Sequence, residues 1–128
     1  AYRSNSGKII SLVHYNTKKS DTNIEKFSKN ICMHIAASKP VAIDIKDLDS
    51  TLIEREKNVQ RETILSSGKP EKIVEKILEG KMNKFYSEIT LFNQSYILKP
   101  DQTVREAIND LPKDYSYSLI SYKLILVN

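Results

Sequence analysis

Residues 53–85, IEREKNVQRETILSSGKPEKIVEKILEGKMNKF, constrain the fold more than any other stretch of the chain. They read as two helices joined by a tight turn. Ser66, Ser67 and Gly68 close the first helix, and Gly68 supplies the left-handed position that helix ends often require. Pro70 is expected at the first position of the second helix, where a missing N–H costs nothing. Apolar residues are sparse before the turn (Ile53, Val59, Ile64, Leu65). After it they recur as Ile73/Val74, Ile77/Leu78, Met82 and Phe85. Charges of both signs occupy the remaining positions, so each helix has one narrow apolar seam and is otherwise wetted. Two such helices, spanning roughly 50–87, predict a projecting antiparallel, coiled-coil-like hairpin with little apolar surface left for a larger core.

The remaining chain is short. A length of 128 residues predicts a single domain, 1–128, that buries about two-thirds of its unfolded surface. The hydrophobic fraction of 40% and charged fraction of 28% describe an ordinary soluble globule. Its expected location is the cytoplasm. No apolar run approaches the roughly 20 residues of a membrane span. The chain starts at Ala1 without an initiator Met, which predicts a fragment or a processed chain. A lone cysteine, Cys32, cannot form an internal disulfide and reads as a small core residue. The net charge of +4 invites a nucleic-acid reading. Yet along the hairpin Lys and Arg alternate with Glu, whereas a phosphate-binding face calls for a stripe of one sign. The densest basic spot, Lys18-Lys19, reads as solvated loop.

Along the chain, residues 9–15 predict a strand, with Ile10, Leu12 and His14 on one face and Ser11, Val13 and Tyr15 on the other. A helix follows. Thr22 and Glu25 fit a capping box at its start, Ile24, Phe27, Ile31 and Ile35 recur at helical spacing, and Pro40 ends it. His34 within it reads as a packed histidine that hydrogen-bonds its neighbours. Residues 41–44 are expected to be extended, and Thr51 and Glu54 form a second capping box. After Phe85 the pattern predicts extended segments at 88–92 and 96–98, broken by Pro100-Asp101. Thr103 and Glu106 form a third capping box on a short helix that Pro112 stops. Residues 115–127 predict a final strand, with Tyr117, Leu119, Ile125 and Val127 on one face and Ile120, Tyr122, Leu124 and Leu126 on the other. The economical assembly is α+β: a small antiparallel β-sheet packed on helices, with the hairpin protruding.

Chemistry-bearing constellations are absent. Gly7, Gly68 and Gly80 are isolated and form no phosphate loop. Two distant histidines and one cysteine make no metal site, so no cofactor is expected. Acid pairs such as Glu54/Glu56 lie on exposed helical faces, where their pKa values stay ordinary. The chain reads as a binding protein with no small-molecule substrate, not an enzyme.

Four blocks carry a family resemblance: Met33-His34-Ile35-Ala36-Ala37-Ser38-Lys39-Pro40, Glu54-Arg55-Glu56, Ser67-Gly68-Lys69-Pro70 and Glu75-Lys76-Ile77-Leu78-Glu79-Gly80-Lys81-Met82-Asn83-Lys84-Phe85. In order and spacing they resemble the C-terminal half of the core of bacterial-type elongation factor Ts, including its helical hairpin. The resemblance implies a guanine nucleotide exchange factor acting in protein biosynthesis by binding the GTPase elongation factor Tu. In that family an N-terminal module with a Thr-Asp-Phe-Val motif disturbs the Mg²⁺ and phosphate site of the GTPase, and the C-terminal half docks on a β-barrel domain. The motif does not occur in this sequence, so the resemblance implies only the docking grip. It places partner contacts just after the hairpin, at Ile97 and Leu98, with Gln94, Tyr96 and Lys99 around them. Read as strand neighbours, Ile97 and Leu98 point oppositely, one to the core and one to the partner, with Leu98 the exposed one; an ordinary edge strand is the bland alternative. Ser4 stands near where many members carry a histidine. Homodimerisation stays open. The rival reading is an RNA-binding or ribosome-associated module that stacks bases on Tyr115, Tyr117 and Tyr122.

Overall fold

A computed structural model describes residues 1–127. Strand β1 (Tyr2–Arg3) turns into β2 (Ile9–Asn16), and helix α1 (Thr22–Ser38) follows. The hairpin is α2 (Ser50–Ser66) and α3 (Glu71–Ile89). Strands β3 (Ser95–Tyr96) and β4 (Lys99–Thr103), helix α4 (Val104–Asn109) and strand β5 (Ser118–Leu126) complete the chain. The result is α+β: an antiparallel sheet in the order β1-β2-β5, a separate antiparallel β3-β4 ribbon, and helices.

Apolar periodicity accounts for α1. Ile24, Ile31 and Ile35 are buried with Phe27 partly so, and the last three share a core with Val13, Leu119, Tyr122 and Leu124 of the sheet. Within the sheet Ser11 is fully buried and donates to the Cys32 carbonyl at 2.5 Å, which brings strand and helix backbones close together. Leu91, Tyr96, Val104 and Ala107 close this core from the other side. Lys39, next to Pro40, adopts the left-handed conformation (φ 45°) that ends the helix.

The hairpin has a core of its own. Ile64, Val74, Leu78 and Met82 are buried together, flanked by Ile53, Ile77, Phe85 and Tyr86. Val59, Leu65 and Ile73 face solvent. Gly68 takes the left-handed conformation, as the turn requires (φ 81°). Its base is fastened by Arg105, which donates to Asp44 Oδ2 and to Asn93 Oδ1, each at 2.7 Å. Burial would raise the Asp44 pKa, but hydrogen bonds from the Ile45 N–H, Arg105 and Asn93 outweigh it and hold the carboxylate below its ordinary range.

Several local expectations change. The α1 cap is Asp21, whose side chain accepts from the Ile24 N–H, one residue before Thr22. For α2 the cap is Asp49, not Thr51. Aspartate competes well for such positions because its short carboxylate reaches the free N–H groups of the first turn. Pro70 lies just outside α3, with extended ψ of 140°. The Thr103–Glu106 capping box is present. Residues 88–92 are not a strand: α3 runs on to Ile89, Thr90 bridges Ala42 in parallel, and Leu91–Asn93 form a 3-10 turn. Pro100 lies within β4 instead of breaking the pattern.

The final strand also departs from strict alternation. His14 pairs with Ser121 and Tyr15 with Leu119, leaving Ile120 as an extra residue. A bulge of this kind resets which face each later residue occupies. Tyr117, Leu119, Tyr122 and Leu124 therefore all pack against the core, while Ile120 and Ile125 are exposed.

Candidate functional site

The segment after the hairpin is built from inside outward. Gln94 is buried beneath it, and Tyr96 is buried with its ring 5.9 Å from that of His34. Their side chains are unavailable to a partner; they hold the turn above them. The chain then reverses at Ile97-Leu98, and Tyr96 pairs with Lys99. The expectation that Ile97 and Leu98 are strand neighbours with opposite faces is thus corrected. They are the two turn residues, and both are exposed, at 36% and 49%.

No residue of this turn has positive φ. Turns of that kind twist against the flanking strands and splay them. The register accordingly slips at once: Ser95 pairs with Thr103 although Tyr96 pairs with Lys99. The Ser95 hydroxyl donates to the Pro100 carbonyl at 2.6 Å across the slipped region. Lys99 is exposed beside the turn.

His34 ties the turn to α1. The Ile97 N–H donates to His34 Nδ1 at 3.2 Å, and His34 Nε2 lies 2.9 Å from Gln94 Oε1. Burial lowers the His34 pKa, and the Gln94 bond opposes this in part. Because the folded value lies below the ordinary 6.5, folding favours the neutral ring. Its stabilisation is complete above the unfolded pKa, declines as pH falls below it, and stops changing beneath the folded value. Stability is therefore expected to decline as pH falls through and below 6.5, and His34→Asn to flatten that decline. Denaturant titrations at each pH check this; parallel curves for the two proteins would exclude His34 as the cause.

Ser4 belongs to a different element, the β1–β2 turn. Its backbone N–H donates to the Ile9 carbonyl and its hydroxyl accepts from the Ile9 N–H, so it shapes that turn. Among the described residues no hydrogen bond joins it to the β3–β4 ribbon. The tyrosine platform of the RNA reading is not available either. Tyr115 is buried and donates to Asp21 Oδ2 at 2.6 Å. Tyr117 stacks on Tyr15 at 5.1 Å, and burial pushes its pKa up to about 12. Tyr122 donates to the Pro40 carbonyl at 2.6 Å. The rings that propensity marked as strand formers with polar ends are spent on the core and its edges.

Sequence reading missed the role of Gln94 and the link from His34 to Ile97. Their only signal was two polar residues in apolar surroundings, which demand partners once buried.

The sequence model of the family described as Elongation factor TS matches residues 1–126. Elongation factor Ts of Acetivibrio thermocellus is 43% identical over 114 residues, which cover 86% of this chain and 53% of the relative. The protein of the same name from Bartonella henselae is 42% identical over 107 residues, 84% of this chain and 35% of the relative. That from Nitratidesulfovibrio vulgaris is 40% identical over 114 residues, 86% of this chain and 57% of the relative. The chain thus spans about a third to somewhat over half the length of these relatives. With nearly its whole length matched and its helical hairpin intact, it belongs to the elongation factor Ts family.

Proposed function

We propose that this chain docks on elongation factor Tu in the cytoplasm through the Ile97-Leu98 turn, with Lys99 at its edge, and supplies the docking grip of guanine nucleotide exchange. The observation that carries this is the pair of adjacent aliphatic side chains exposed on a turn, where Gly, Asn, Asp and Ser are the usual occupants. Their neighbours Gln94 and Tyr96 are buried, so the turn presents its apolar tip on a fixed base. The family membership supports Tu as the partner. Exchange then works by linkage: a factor that prefers nucleotide-free Tu must lower the affinity for GDP by the same coupling factor. No covalent step is required.

Both side chains face outward, so Ile97→Ala and Leu98→Ala are expected to behave alike. Each loses about 1–2 kcal/mol of binding, roughly five- to thirtyfold in affinity, with little change in melting temperature. Binding titrations with Tu, paired with thermal melts, check this. If both variants bind like the parent, the turn is not the docking contact. The 128 residues lack the Thr-Asp-Phe-Val motif, so they are expected to bind Tu without appreciably speeding GDP release. Stopped-flow release of fluorescent GDP decides it, and full-sized acceleration would refute the division into two grips.

A further inference from the structure

His34 is completely buried in α1 and engaged at both ring nitrogens. The Gln94 amide settles which nitrogen carries the hydrogen. Its Nε2 donates to the Glu88 carbonyl at 2.9 Å and faces the Ser38 carbonyl at 3.4 Å. Its oxygen is thereby turned to the imidazole and can only accept. His34 Nε2 must then be the donor, which leaves Nδ1 with a free lone pair towards the Ile97 N–H. Polarity thus runs one way, from Ile97 through His34 and Gln94 to the carbonyls that end α3 and α1. A backbone N–H cannot serve as an acceptor, so the opposite tautomer would set two donors face to face.

The turn needs such a tether. It has no glycine, asparagine or left-handed residue to define it, and its register slips directly behind Tyr96. Tyr96 packs beside the imidazole as a phenol whose pKa burial raises, and α3 contributes only a backbone carbonyl to the cluster. No charged side chain is among the causes of the His34 pKa shift.

We propose that His34 is a positioning residue for partner docking: held as the Nε2–H tautomer by Gln94, it fixes the Ile97 N–H and so the orientation of the Ile97-Leu98 tip. This rests on the reading of that turn as the docking contact.

Two substitutions separate the ring nitrogens. Asparagine is short and can offer its amide oxygen where Nδ1 lies, whereas glutamine reaches the Nε2 position and leaves Ile97 without an acceptor. Both delete one buried hydrogen bond, so both lower the melting temperature, and stability does not tell them apart. Hydrogen exchange at the Ile97 amide is first read on the free chain, then affinity for Tu. His34→Gln is expected to exchange Ile97 as an exposed amide and to bind Tu about tenfold more weakly, the scale of one lost hydrogen bond. His34→Asn is expected to keep Ile97 protected and to bind within about twofold of the parent.

If His34→Gln leaves Ile97 protected, there is no tether, whatever happens to Tu binding. If the amide is freed but affinity is unchanged, His34 has no part in docking; should Leu98→Ala also bind normally, the docking reading fails with it. Ring nitrogen shifts of the unsubstituted chain require no variant. A protonated Nδ1 at neutral pH would overturn the proposal outright.

Discussion

Leu91→Ala is expected to cost the protein about 2–5 kcal/mol, the range for deleting a fully buried leucine side chain. Leu91 is wholly inaccessible and belongs to the main cluster with Ile31, Ile35, Tyr96 and Val104. Its backbone N–H also donates to the Ala42 carbonyl at 2.9 Å, so the cavity cannot collapse without moving that contact. Domains of this size have only about 5–15 kcal/mol in total, so the variant should melt far below the parent. Leu78→Ala is the comparison. Leu78 is nearly as buried, at 3% exposure, but belongs to the hairpin cluster, which shares no buried residue with the main one. It is expected to speed amide exchange along α2 and α3 while the main transition moves little, as for a local unfolding unit. Denaturant melts with residue-resolved exchange decide between these outcomes. Equal losses from the two substitutions would mean that the clusters melt as one.

Excision of the hairpin is the larger intervention and follows from the same separation. Replacing residues 52–84 with a short Gly/Ser linker is expected to leave a domain that still melts cooperatively. Asp44 and Asn93, which flank the hairpin, are hydrogen-bonded to each other, so the two chain ends leave from a joined base and the closing loop is short. Loop entropy rises only slowly with length, so the linker itself adds little cost. The Val41–Ile89 and Leu91–Ala42 backbone bonds and the Asp44–Asn93–Arg105 knot lie outside the excised segment. A molten, dye-binding product would show that α2 and α3 supply packing the main core cannot do without. A folded product that still binds Tu would assign docking to the sheet and ribbon.

Features of this protein that are decided locally were legible in its residues alone. Gly68 sets a left-handed turn, Pro40 ends α1, and Thr103 with Glu106 caps α4, because each acts on backbone within about one helical turn. The same holds for the apolar seam of the hairpin, and the blocks around it carried the family. Tertiary structure decided what depends on residues far apart. Residues 88 and 89 stay helical and Thr90 bridges Ala42 because the end of α3 meets the 41–43 segment, although their propensity reads as strand. Ile120 bulges because β5 must match a β2 face set by its packing on α1, and pattern alone cannot count the extra residue. Ile97 and Leu98 form a turn, not a strand, where the ribbon folds back, and the Ile97 N–H meets His34, 63 residues away. A buried imidazole must find a donor and an acceptor, but which groups supply them is settled only when α1, α3 and the ribbon close around it.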